Sequence, residues 1–302
     1  MKVVLAGGTG ALGRRIAADL TEHGHEVVVL TRSARPDFPY RQVTWDGASV
    51  GPWAAELEGA ALVNLAGELV DRRPTAANIE LLTRSRVAPT AALAEAAAGL
   101  TSPPGVWVQM STLAIYGDGG ESVLDEQAPP ADGPPQLAGV ARAWEAAAVG
   151  APAGRQVVLR TAVVLDRDTP ALDRIAGLAR WGLGGRIGTG RQWMSWLHID
   201  DLLAVVRLAL SDPALSGVLH ATSPNPVRNA ELMAALRDVL RRPPAPPTPA
   251  WMARAGAVLM RSDPALALTG RRCVPARLTE RGFTFHHPHL RPALDDLLRR
   301  PG

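Results

Sequence analysis

The first third of the chain switches repeatedly between two hydrophobic periods. Val3–Ala6 is an unbroken apolar run of strand length, and Glu26–Leu30 and Ala60–Ala66 repeat that pattern. Between them, Ala11–His23 carries apolar residues at helical spacing (Leu12, Ile16, Leu20) and stops at Gly24. Ala76–Leu100 reads as a long alanine-rich helix interrupted near Pro89. Val106–Ser111 and Val157–Val164 are the next strands. Continuous apolar strands alternating with amphipathic helices predict a parallel sheet covered on both faces, a doubly wound α/β fold of Rossmann type.

Later regions change character. Gly177–Gly190 is glycine-rich and reads as a loop or lid, and Asp200–Leu210 as an apolar helix. Arg242–Pro249 (RPPAPPTP) is a stiff connector, beyond which Trp251–Leu268 and Pro292–Arg300 read as helices. This divides the chain into a nucleotide-binding part, 1–165 and 198–222, and a smaller substrate or lid part, 166–197 and 223–302. For 302 residues, length alone suggests one large domain or two small ones of roughly 150 residues each.

The strongest local signal is AGGTGALG at 6–13, where Gly8, Gly10 and Gly13 satisfy G-x-G-x-x-G and Gly7, Gly10 and Gly13 satisfy G-x-x-G-x-x-G. It leaves a strand and opens a helix, the context such a turn needs to seat a pyrophosphate. Glycines let the backbone approach the anion, and the N–H groups of the first helical turn, at Ala11, Leu12 and Gly13, face it. The second strand ends in Thr31-Arg32-Ser33 with Arg35 behind, and the first acid is Asp37. A guanidinium there grips a 2′-phosphate that a carboxylate would repel. The expected cofactor is therefore NADP(H), with Arg32 as main contact and Ser33 or Arg35 assisting.

Composition removes several alternatives. Of 32 basic residues one, Lys2, is a lysine, so a catalytic lysine elsewhere is excluded. The arginines are scattered and the net charge is only +3, which argues against nucleic acid as a partner. Cys273 is the single cysteine, so no internal disulfide is available, and a reducing, cytoplasmic setting fits. No stretch has the length and apolarity of a membrane span, so no membrane partner is expected; the oligomeric state stays open.

Several strings taken together resemble the extended short-chain dehydrogenase/reductases. They are AGGTGALG, VNLAGE (63–68), SRVAPT (85–90), STLAIYG (111–117), LRTAVVL (159–165), GTGRQWMSWLHIDD (188–201) and GFTFHHP (282–288). More narrowly, the chain is similar to their atypical epimerase family protein branch, which carries an extra C-terminal segment. The resemblance implies that Leu65, Ala66 and Gly67 line the cofactor and that Ser111 is the substrate-binding serine. It also exposes departures. The helix 136–148 places Leu137 and Ala141 where the family's Tyr-x-x-x-Lys pair would stand, and Arg86 aligns with an asparagine of the family's proton relay. Met194, beside Trp193, takes the position of a phosphate-gripping arginine, with Arg191 out of register.

The candidate catalytic groups are thus Ser111, Tyr116 and Arg86. Asp118, Glu121 and Glu145 read as solvated acids, and His198 as structural, with Asp200 or Asp201 capping the helix. His286, His287 and His289 do not by themselves make a metal site. Two readings stay open. One is an NADP(H)-dependent oxidoreductase or epimerase-like enzyme acting on a small, partly apolar carbonyl or hydroxyl compound. The other is a catalytically inactive NADP(H) sensor or scaffold.

Overall fold

The computed structural model describes residues 1–167 and 169–299. In chain order it begins β1 (Lys2–Ala6), α1 (Ala11–Glu22), β2 (Glu26–Thr31), β3 (Arg41–Thr44), β4 (Ala61–Asn64), α2 (Ala76–Ala98) and β5 (Val106–Thr112). Then come β6 (Val123–Leu124), α3 (Val140–Ala148), β7 (Gln156–Thr161), β8 (Val163–Leu165) and α4 (Pro170–Arg180). After these follow β9 (Trp193–Met194), β10 (Trp196–His198), α5 (Ile199–Ser211), β11 (Gly217–Ala221), β12 (Val227–Arg228) and α6 (Asn229–Val239). The C-terminal part holds α7 (Ala250–Leu259), α8 (Ala265–Leu268), β13 (Arg272–Cys273), α9 (Ala276–Glu280) and α10 (Leu290–Arg299).

Seven parallel strands form one sheet in the order β11-β7-β5-β4-β1-β2-β3. From β1 the chain winds outward to β2 and β3, then returns to β4 on the other side. The crevice between β1 and β4 is the topological switch point, where ligands of open α/β sheets bind. The strands sort their side chains by parity. Val3, Leu5, Val27 and Val29 pack with α1 and α5 residues such as Ile16, Leu20 and Val206. Val4, Ala6, Val28 and Leu30 pack on the other face with Leu93 and Ala96 of α2 and with Trp45 and Trp53. Burial on both faces is why these strands read as unbroken apolar runs rather than alternating ones.

The structure corrects the sequence reading in several places. α2 runs unbroken through Pro89. Proline there cannot donate to the Ser85 carbonyl, but the residue is buried and packing overrides the local penalty. The expected strand 157–164 is two strands: β7 stays in the large sheet, while β8 leaves it to pair with β10. The expected loop 177–190 begins inside α4, because Leu172, Ala176 and Ala179 make a buried stripe. Its remainder is tied by a β-bridge between Ile187 and Thr248. The expected helix 251–268 is two helices, separated where Arg261 takes φ 55° and Pro264 follows. α10 is described as far as Arg299, and Arg300 lies outside the described residues. β3 and β11 were not foreseen from the sequence. Among the described residues, no helix is long and apolar enough to cross a membrane.

Candidate functional site

The turn after β1 is built by backbone contact. Gly7 has φ 78°, and a Cβ on it would stand 2.9 Å from the Ala66 Cα in the turn after β4. A Cβ on Gly13 would stand 2.5 Å from Gly8 Cα. These glycines let the β1–α1 turn, the start of α1 and the β4 turn close on one another. Gly10 is different: its added Cβ would meet just the Gly7 carbonyl oxygen, at 3.6 Å, and otherwise open space. Gly10 is also the N-cap of α1, with no side-chain cap and no acid in the first turn. The N–H groups of Ala11, Leu12 and Gly13 in the first turn therefore meet no side-chain cap, and with the open space beside Gly10 the residues present fit a dinucleotide pyrophosphate.

The turn Leu65–Ala66–Gly67 faces this loop and is set by Asn64. That buried amide donates to Thr90 Oγ1 at 2.8 Å and to Gln109 Oε1 at 3.0 Å, and its oxygen accepts from Ala66 N–H at 3.2 Å. Arg86 supports the same turn from α2. It donates to the carbonyls of Leu82 (3.1 Å) and Glu68 (2.8 Å), and lies over the Trp144 ring. Gly67 is needed here, since a Cβ would press on the Arg86 side chain at 3.0 Å. Burial pushes the Arg86 pKa down to about 10. Both terminal nitrogens are engaged in holding backbone, with a further contact from Nη1 to Ser85 Oγ at 3.5 Å.

Arg32 lies at the end of β2 with its side chain 72% exposed, 3.4 Å from Glu68. It borders a cavity of about 480 Å³ lined also by Thr44, Trp45, Asp46 and Trp53. Ser33 is exposed, its N–H donating to Thr31 Oγ1 at 3.3 Å. Arg35 is tied through its backbone to Gln42.

Ser111 ends a continuous polar chain that the sequence reading missed. Ser111, Arg160 and His220 occupy the same register on β5, β7 and β11, side by side across three strands. Ser111 Oγ donates to Glu145 Oε1 at 2.5 Å. Arg160 grips that carboxylate with both arms, Nε to Oε1 at 2.9 Å and Nη2 to Oε2 at 2.8 Å, and its Nη1 donates to Tyr116 OH at 2.7 Å. Tyr116 in turn donates to His220 Nε2 at 2.6 Å, and His220 Nδ1–H donates to the Val274 carbonyl at 3.0 Å. This assigns the Nδ1–H tautomer to His220.

Burial pushes the Tyr116 hydroxyl up to about 12 and the His220 imidazole down to about 4. Burial works against the Arg160 charge, but hydrogen bonds and attraction from Glu145 raise its pKa above the ordinary value. Tyr116 is thus an internal link, 4% exposed. Leu137 and Ala141, at the Tyr and Lys positions, are buried apolar residues. A charge inside the apolar run VVLRTAVV was the available signal: a buried arginine requires a partner.

The other candidates are dispersed. Asp118 accepts from Gly270 N–H, and Glu121 binds Arg228 at 2.7 Å and Trp193 Nε1 at 3.0 Å. Met194 and Trp193 form β9, paired with β12. The α5 cap is His198 itself, whose Nδ1 accepts from Asp200 N–H at 3.1 Å, not either aspartate. Asp201 is fully buried and accepts from His286 N–H at 2.6 Å and His287 N–H at 3.0 Å. His198, Asp200, His287 and Asp296 do come together, their ligand atoms within 4.8 Å. The two imidazoles stack at 3.7 Å and 27°, however, so their in-plane lone pairs run side by side and do not converge on one ion.

A doubly wound sheet with a glycine turn at its switch point and a polar chain at the strand ends defines a dinucleotide-binding α/β scaffold. The chain belongs to the NAD dependent epimerase/dehydratase family, whose profile matches residues 3–162, within the extended short-chain dehydrogenase/reductase branch. Residues 248–297 match a domain of unknown function, DUF1731. The chain is 34% identical over 303 residues to Epimerase family protein SDR39U1 of Bos taurus, covering 99% of this chain and 100% of that protein. It is 35% identical over 306 residues to Epimerase family protein ML0860 of Mycobacterium leprae (strain TN), covering 99% and 96%. Among solved structures, that of human epimerase family protein SDR39U1 (isoform 2) with NADPH is similar, with TM-score 0.87 and 31% identity over 100% of both chains.

Proposed function

We propose that this protein binds NADP(H) and acts as an oxidoreductase or epimerase-like enzyme on a small, partly apolar hydroxyl or carbonyl compound, without a Tyr-x-x-x-Lys pair. The observation that carries the proposal is Ser111 donating to a Glu145 carboxylate clamped by buried Arg160. The open space over Gly10 and the exposed Arg32 support the cofactor, as does NADPH in the human relative. The bound dinucleotide would supply or accept the hydride.

The chain's own residues then manage the proton. Ser111 gives its single proton to Glu145, so towards a substrate it offers lone pairs and accepts from a hydroxyl. A proton leaving that hydroxyl passes to Ser111 Oγ as the serine proton passes to Glu145; reduction of a carbonyl reverses both transfers. Arg160 holds the carboxylate in place, and Tyr116 and His220 hold Arg160. Arg86 positions the Gly67 turn. Tyr116 and Arg86 are thus positioning residues here, and the proton route runs through Ser111 and Glu145. The setting proposed is cytoplasmic.

One observation favours a second reading, a binding module without turnover: Leu137 and Ala141 leave no hydroxyl or amine at the usual acid/base position. Following nicotinamide absorbance across a panel of carbonyl and hydroxyl compounds separates the two. Turnover lost in Ser111→Ala supports the enzyme, while tight NADPH binding with no turnover across the panel supports the module. For the cofactor, Arg32→Asp is expected to weaken NADPH binding far more than NADH binding, and equal loss refutes the 2′-phosphate contact.

A further inference from the structure

Arg32, the cation offered to the 2′-phosphate, already has an anionic partner inside the protein. Glu68 Oε1 lies 3.4 Å from Arg32 Nη2, and Glu68 Oε2 lies 3.0 Å from Arg72 Nη2. Glu68 is not a loose surface acid. Its backbone N–H donates to Ser85 Oγ at 3.1 Å, and its carbonyl accepts from Arg86 Nη2 at 2.8 Å. Arg86 is buried against Gly67, so the base of Glu68 is fixed from two points on α2. Its side chain is 29% exposed, whereas the Arg32 side chain is 72% exposed. The acid is the fixed member of the pair and the arginine the movable one.

We infer that Glu68 is a specificity-determining residue: its carboxylate competes internally with the 2′-phosphate for Arg32, and Arg72 keeps that carboxylate partnered when Arg32 leaves it. The inference rests on the dinucleotide reading above. A phosphate arriving at Arg32 breaks one ion pair and meets a nearby like charge. The second arginine lowers the cost of the exchange, since Glu68 is never stranded without a cation. Arg72 has capacity for this, because its buried Nε has no hydrogen-bond partner among the described residues. A ribose 2′-hydroxyl lacks that charge, so NADH neither competes with Glu68 nor is repelled by it. A carboxylate about 6 Å from a dianion, in a dielectric close to that of water, costs affinity on the order of tenfold at low salt and about threefold at physiological salt.

The test is binding of NADPH and NADH at low salt, about 0.01 M, followed by nicotinamide fluorescence, in wild type, Glu68→Gln, Arg72→Met and the double variant. Glu68→Gln should tighten NADPH about tenfold and leave NADH within about twofold. Arg72→Met should weaken NADPH several-fold while Glu68 is present and change nothing in the Glu68→Gln background. If wild type binds NADPH but Glu68→Gln leaves the NADPH-to-NADH ratio unchanged, this inference is overturned and the dinucleotide reading stands. If Arg72→Met weakens NADPH equally in both backgrounds, Arg72 is a direct phosphate ligand and the exchange is overturned. Binding of neither nucleotide by wild type refutes the reading beneath it. Melting temperature identifies any variant that fails to fold, and Glu68→Asp, with a shortened acid, then serves with an intermediate ratio expected.

Discussion

Replacing Arg160 with methionine probes the polar chain directly. The substitution keeps bulk and apolarity in a strand that is otherwise apolar. It deletes three charge-assisted hydrogen bonds, two to Glu145 and one to Tyr116. Removing one partner of a buried ion pair costs about 3–5 kcal/mol. Glu145 keeps its Ser111 donor and some water access, with 15% of its side chain exposed, so the low end applies, about 3 kcal/mol. For a chain of 302 residues that corresponds to a fall in Tm of about 5 °C. Glu145→Gln should cost a similar amount by stranding the arginine.

The double variant decides the matter. With neither charge buried, the combined loss should be about 3 kcal/mol, not the sum of about 6, giving a coupling near 3 kcal/mol. Urea unfolding followed by tryptophan fluorescence measures all four corners of the cycle. Losses that add to within about 0.5 kcal/mol would refute the buried pair as described.

The glycines separate folding from binding. Gly10→Val should leave Tm within a few degrees and abolish nucleotide binding, because its side chain enters open space where the anion would sit; Gly13→Ala should lower Tm sharply, with Cβ driven onto Gly8. Retained nucleotide binding in Gly10→Val counts against the cradle. Tyr116→Phe leaves an Arg160 donor and the His220 Nε2 acceptor unmet, a loss of about 1–3 kcal/mol in urea unfolding. His198 and His220 are both held down to about 4, chiefly by burial, so the unfolded chain binds more protons below pH 6.5. Stability should therefore fall as pH drops from 6.5 towards 4, by about 2 kcal/mol per histidine between pH 7 and 5. His198→Asn should flatten that slope, and an unchanged slope speaks against the assignment.

The nucleotide half of the fold was legible because its signals are local. The β1 run, the glycine turn and the Ile16–Leu20 stripe each lie within a few residues of one another. The place of Arg32 in the fold was legible for the same reason, since it follows directly on β2. The polar chain was not: Ser111, Glu145, Arg160 and His220 are spread over 110 positions and meet through strand register, which a single sequence does not display. Glu145 reads as an ordinary exposed helical acid until β7 supplies its arginine. β3 and β11 are edge strands, and their short or partly polar runs carry too little apolar pattern to stand out. Pro89 misled in the opposite direction, since a helix breaker by local rule is tolerated where α2 is pressed onto the sheet.

Asp201 sits fully buried at the start of α5, and its two acceptors are filled by backbone N–H groups 85 and 86 residues further along the chain. A ribosome that has released only the glycine turn, the parallel strands and α5 has therefore produced a nascent fold with an unsatisfied acid in its interior. Synthesis through His287, in the segment just before α10, is what closes it. Shortening the protein from its tail would reach the centre of the molecule sooner than trimming any exposed loop of the same length.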